Sequence, residues 1–131
     1  MNRQRLAKKI KASKKFRDAF VSEHIRNTIA FQIRENRLSR NLSQRELADT
    51  CNTKQNQISR LEDPDNSKPT ISSLRRIASA FECALIVRFV PYSELLDWRM
   101  GLSPDSILVP SIHSDHGLDT DYDGLCPYPR G

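Results

Sequence analysis

The chain has 131 residues, 37% hydrophobic and 28% charged, which is the balance of a folded soluble protein and sets an expectation of one domain with extensions and no second core. No run of eighteen apolar residues offers a membrane span, and the basic start lacks the apolar stretch of a secretory signal. Net charge is +5 but unevenly placed: residues 1–26 balance to +7, residues 27–100 to +2, and residues 101–131 to −4.

In chain order, residues 1–12 are cationic with only Leu6 and Ile10 to bury, and are expected to be mobile without a polyanion. A helical pattern begins at Ser13, with Phe16 and Phe20 one turn apart. Ile25, Ile29 and Ile33 follow in a different phase. The change near Ser22, a plausible N-cap, suggests two helices or one bent helix, the second running over Glu23–Leu38 to a connection ended by Asn41.

The segment Leu42–Glu62, LSQRELADTCNTKQNQISRLE, is the most informative part of the chain. Ser43-Gln44-Arg45-Glu46 is a capping box, followed by Leu47, Ala48 and Cys51 on one helical face. Asn52 sits where the chain must turn, and Asn tolerates the left-handed region well. Thr53 is expected to cap a second helix over Lys54–Glu62, whose apolar positions are Ile58 and Leu61. The rest of that helix is polar: Lys54, Gln55, Asn56, Gln57, Ser59 and Arg60 are donors or acceptors of the kind that meet base edges and phosphates.

A turn-rich loop, Asp63–Pro69, leads to Thr70, which caps a helix with Ile71, Leu74, Ile77, Ala78 and Phe81 on its inner stripe. Ala84–Val90 then reads by composition as the single strand of the chain, closed by Pro91. A lone strand leaves its backbone groups unpaired, so pairing with the same strand of a second copy, as an antiparallel ribbon, is expected. Leu85, Val87 and Phe89, with Trp98 on a short helix near Ser93–Trp98, are the candidate dimerisation residues. Beyond Gly101 the composition is that of a disordered acidic tail, with Ile107–Val109 able at most to add an edge.

The motif resembles the Cro/repressor-type (XRE) helix-turn-helix family over roughly residues 23–82. The likeness rests on Gln44, on Ala48 at the helix crossing and on Ile58-Ser59-Arg60-Leu61-Glu62. Two positions depart from the family pattern: Asn52 where Gly is usual, and Cys51 where Leu is common. The resemblance implies a mainly α fold, a five-helix lambda-repressor-like DNA-binding domain followed here by one β-strand and a short helix. It divides the chain into a basic arm (1–22), the DNA-binding domain (23–82), a dimerisation segment (83–100) and an acidic tail (101–131). It implies base reading by Gln55, Asn56, Gln57 and Ser59. Phosphate contacts would come from Gln44, Lys54, Arg60, Arg40 and Lys68, with Arg37 as a further possibility. Arg60 has an alternative role, pairing with Glu62 or Glu46.

Other signals are weaker. Three cysteines, Cys51, Cys83 and Cys126, form an odd, irregular set that reads as reduced thiols of a cytoplasmic protein. His113, His116, Asp119, Asp121, Asp123 and Gly124 imitate metal motifs. The twelfth position of a calcium loop would however fall on Arg130, so no metal, cofactor or catalytic role is expected. The expected partners are double-stranded DNA and a second copy of the chain, with no membrane. The expected function is a dimeric repressor of an inverted-repeat operator, bacterial or phage-encoded and nucleoid-associated. The alternative is an antitoxin, similar to the HigA type, that neutralises a protein toxin and represses its own operon.

Overall fold

A computed structural model describes residues 2–101 and 107–119, and these contain six α-helices and a short 3₁₀ turn at His116–Asp119. Helix α1 (Arg3–Ala12) begins where the Asn2 side chain accepts the amide of Arg5 at 2.9 Å. It is ordered rather than mobile because Leu6 and Ile10, one turn apart, are both buried. Ser13 is extended, so the helix stops there, and its hydroxyl accepts the Phe16 amide at 3.1 Å to start α2 (Lys14–Ser39).

The break therefore lies at Ser13, and no break occurs at Ser22. The 26 residues of α2 form one helix about 39 Å long. Its change of hydrophobic phase has a different cause from a change of helix. Phe16 and Phe20 face one core, with Leu6, Ile10 and Leu96, whereas Ile29 and Ile33 face another. Two cores on one spine replace the single core expected from chain length. Ile25, between them, is exposed.

The larger core belongs to α2, α3 (Gln44–Thr50), α4 (Gln55–Leu61) and α5 (Ile71–Ala80). Leu47 and Ile58 are wholly buried there, with Ala48 at the crossing of α3 and α4 and Cys51, Leu61, Ile77 and Phe81 around them. Thr70 caps α5 through a reciprocal bond with Ser73, as the sequence suggests, although Ile71 faces outward. Helices α2, α3 and α5 all end alike, with Asn41, Asn52 and Glu82 at φ 55°. In each case the amide of the following residue turns back to the last helical turn: Leu42 to Arg37 O, Thr53 to Ala48 O and Cys83 to Ala78 O. Asn52 thus supplies the left-handed turn in place of Gly.

The strand and its ribbon are not present. Residues 83–91 carry no regular structure and no strand occurs among the described residues, so the fold is helical throughout that range. Composition identified an apolar, β-branched run correctly, but a strand exists only through a ladder partner, and the described chain supplies none. Leu85 is half-buried, while Ile86, Val87 and Phe89 point into solvent, Phe89 completely. Helix α6 (Tyr92–Gly101) is longer than the short helix expected. Instead of covering a ribbon it lays Leu96 against Leu6, Ile10 and Phe20, and Arg3 pairs with Asp97 at 3.0 Å. The fifth helix after α2–α5 thus belongs to the α1 core, and Trp98 is half exposed.

Part of the acidic tail also packs. Ile107 is buried, and the side-chain amide of Asn36, only 1% exposed, serves the backbone on either side of Leu108. Asn36 Nδ2 donates to Ile107 O at 2.9 Å and its Oδ1 accepts from Val109 N at 2.9 Å. The Ile112 amide then meets Glu82 O at 2.9 Å, and His113 lies 2.9 Å from the Glu82 carboxylate. Asp121, Asp123, Gly124 and Cys126 lie outside the described residues.

His24 sits on α2 beside α6, where burial, and secondarily the Arg99 charge, push its pKa below the ordinary value of 6.5. The folded state therefore favours neutral His24, and the unfolded state binds the proton more readily. This contribution is complete above about pH 6.5 and is lost as the pH falls through the depressed folded value. The melting temperature should fall between pH 7 and pH 5.5, and His24→Gln should flatten that part of the curve. An identical slope in the variant would assign the acid sensitivity elsewhere.

Candidate nucleic-acid interface

The two motif helices are fixed to each other and to α2 before any outward side chain is considered. In α3 the Ser43 hydroxyl accepts the Glu46 amide at 3.0 Å while Glu46 Oε1 accepts the Ser43 amide at 3.1 Å. That bond holds the Glu46 carboxyl below its usual pKa range. Glu62, just past α4, is gripped by Arg37 of α2: Nε to Oε2 at 2.7 Å and Nη2 to Oε1 at 2.9 Å. The third nitrogen of the fork, Nη1, donates to Leu42 O at 2.8 Å, tying in the entry to α3. Hydrogen bonding to Glu62 raises the Arg37 pKa further above its already basic range. Arg37 is therefore an internal clamp and is not free to bind phosphate.

With Ile58 and Leu61 turned inward, α4 presents Gln55, Asn56, Gln57, Ser59 and Arg60 to solvent, preceded by exposed Lys54. The expected cap does not form: Lys54, not Thr53, occupies the N-cap, without a side-chain bond. Thr53 instead directs its hydroxyl to the Gln57 side-chain oxygen Oε1, which leaves Gln57 partly engaged at the edge of the polar face. Gln44, at the start of α3, is half-buried and donates to Glu62 Oε1 at 3.4 Å. Glu62 and Glu46 are already occupied, and the Arg60 guanidinium makes no hydrogen bond or ion pair among the described residues.

Arg60 and Lys68 line an open cleft of about 560 Å³ with Gln57, Asp65, Asn66, Thr70 and Ser73, between α4, the following loop and the start of α5. Lys54, Arg60 and Lys68 thus flank the polar face of α4. Arg40 does not join them. Its Nη2 donates to Phe81 O and Val109 O, each at 3.0 Å, and its guanidinium lies 4.7 Å from the Phe81 ring centre. The roles of Arg37, Arg40 and Glu62 were not visible in the sequence, because their partners lie 25 to 69 residues away. Burial raises the pKa of the Cys51 and Cys83 thiols, which keeps them protonated. No helix of the described chain is long and apolar enough to cross a membrane.

A small α3 packed across the base of α4, with one polar face of α4 free, is the architecture of a helix-turn-helix DNA-binding unit. Residues 33–86 match the family model described as helix-turn-helix, which supports a DNA-binding domain of the XRE type found in transcription regulators. The match begins in the last part of α2 and ends in the irregular run after α5, so α1, residues 14–32 of α2 and α6 lie outside it. No curated protein and no solved structure matches the chain.

Proposed function

We propose that the protein is a sequence-specific transcription regulator that binds an inverted repeat as a dimer and represses by occupying it. The observation that carries this reading is the face of α4: Gln55, Asn56 and Ser59 exposed together, with Ile58 and Leu61 buried behind them. Gln and Asn each present a donor and an acceptor that fit adenine in the major groove, and Lys54, Arg60, Lys68 and the amino end of α3 at Gln44 suit the flanking phosphates. Dimerisation would use side-chain packing of the apolar run at Leu85, Val87 and Phe89, with Trp98, since Ile86, Val87 and Phe89 are otherwise left in water.

Footprinting on the upstream DNA, at about 0.15 M salt with competitor, tests this directly. Two protected half-sites about 34 Å apart are the expected result. Asn56→Ala should weaken binding to the protected sequence by roughly 5- to 150-fold, the equivalent of ~1–3 kcal/mol, and leave random DNA nearly unchanged. Equal losses on both would remove Asn56 from the base-reading set. A smooth digestion pattern with no boundary would defeat the whole reading.

A further inference from the structure

We propose that α1 is a second DNA-binding surface, one that holds the phosphate backbone beside the segment read by α4. The inference rests on the reading above for the identity of the polyanion. Arg5, Lys8 and Lys11 recur every three residues along α1, on the side opposite Leu6 and Ile10, and all three are exposed. The charged group of none of them has a hydrogen bond or ion pair among the described residues. Their neighbours are cations too: Lys9 stacks over Phe16 at 5.7 Å, and Lys15 is exposed in the first turn of α2. Helix α1 contains no acidic residue, and the acids nearest it serve other bases, Asp97 with Arg3 and Asp18 with Lys14.

Like charges three and four apart destabilise a helix, and ten residues are too few to be stable alone in water. Here the helix persists because Leu6 and Ile10 are seated on Phe20 and Leu96. The fold thus uses a separate core to hold uncompensated cations in a fixed row. A row of fixed positive charges suits an evenly spaced polyanion, and duplex DNA carries a phosphate every 3.4 Å per strand. An anionic membrane is the poorer fit, because the apolar face such a helix would insert is already buried against α2 and α6. Along the spine, Phe20 precedes Ile33 by thirteen residues, or about 20 Å of helix. The stripe thus sits at the opposite end of this spine from the core that carries α4.

The test is a salt titration of the full chain on two 30-base-pair duplexes, one selected by the wild type from a random pool and one of random sequence. Together, Arg5→Gln, Lys8→Gln and Lys11→Gln should lower the slope of log affinity against log salt by about 2–3 on both duplexes. Affinity near 0.1 M salt should fall on the order of a hundredfold, with the selected sequence unchanged. The charge-keeping set Arg5→Lys, Lys8→Arg and Lys11→Arg should retain the wild-type slope, which separates charge from helix stability. An unchanged slope in the Gln variant overturns the proposal. So does an unchanged slope accompanied by loss of binding to phosphatidylserine vesicles, which would assign the stripe to a membrane. Failure of the wild type to select any sequence would instead defeat the regulator reading, and the slope on random DNA would still judge α1.

Discussion

Glu62→Ala should destabilise the helix-turn-helix domain by about 3–5 kcal/mol, read as a lower urea midpoint with unchanged steepness. The side chains of Arg37 and Glu62 are only 9% and 4% exposed, and both oxygens of the carboxylate are engaged by the guanidinium. Removing the carboxylate leaves a cation in a site water barely reaches, and an arginine cannot relieve the strain by losing its proton. The cost would not be confined to one contact. The same guanidinium anchors Leu42 O, and Gln44 leans on the same carboxylate, so the start of α3 and the end of α4 should loosen together. Arg37→Met combined with Glu62→Leu should recover most of the loss, because the penalty comes from the unpaired charge more than from the missing attraction. A double variant as unstable as the single one would show that the pair itself is a net stabiliser.

Ile58→Ala is the other large effect, at about 2–5 kcal/mol, with Ile58→Val at about 0.5–1.5. Ile58 has 0% exposure and, with Leu61, joins α4 to the core of Leu47, Ala48, Ile77 and Phe81. Truncation removes buried surface and leaves a cavity in a helix of only seven residues, which cannot hold its shape without packing. Thermal or urea unfolding of the pair of variants checks both magnitudes. A loss of a few tenths in Ile58→Ala would mean the helices collapse freely onto the gap, against the close packing of this core.

The motif was the most legible part of the sequence because its signals are local. The Ser43–Glu46 box, the left-handed Asn52, the Thr70 cap and the Leu47/Ile58/Ile77/Phe81 core all follow from residues a few positions apart. Apart from the Thr53 cap, lost to Gln57 four residues on, the features misread depend on distant partners. Leu6 and Ile10 looked too few to order a helix, since the surface that receives them includes Leu96, ninety residues on. Ala84–Val90 looked like a strand because β-propensity records side-chain shape, whereas a ladder requires a neighbour. The interface residues divide the same way. The outward face of α4 follows from helical period, but the diversion of Arg40 to Phe81 O and Val109 O required the tail to be seen in place.

The clasp between α1 and α6 also sets an order of assembly. Arg3 and Asp97 are separated by 94 positions, whereas α3 and α4 are consecutive and meet across a short turn. Closing the longer loop carries the larger entropy cost, and contacts between distant residues form late. A nascent chain can therefore pair α3 with α4 before α6 is available to close onto α1.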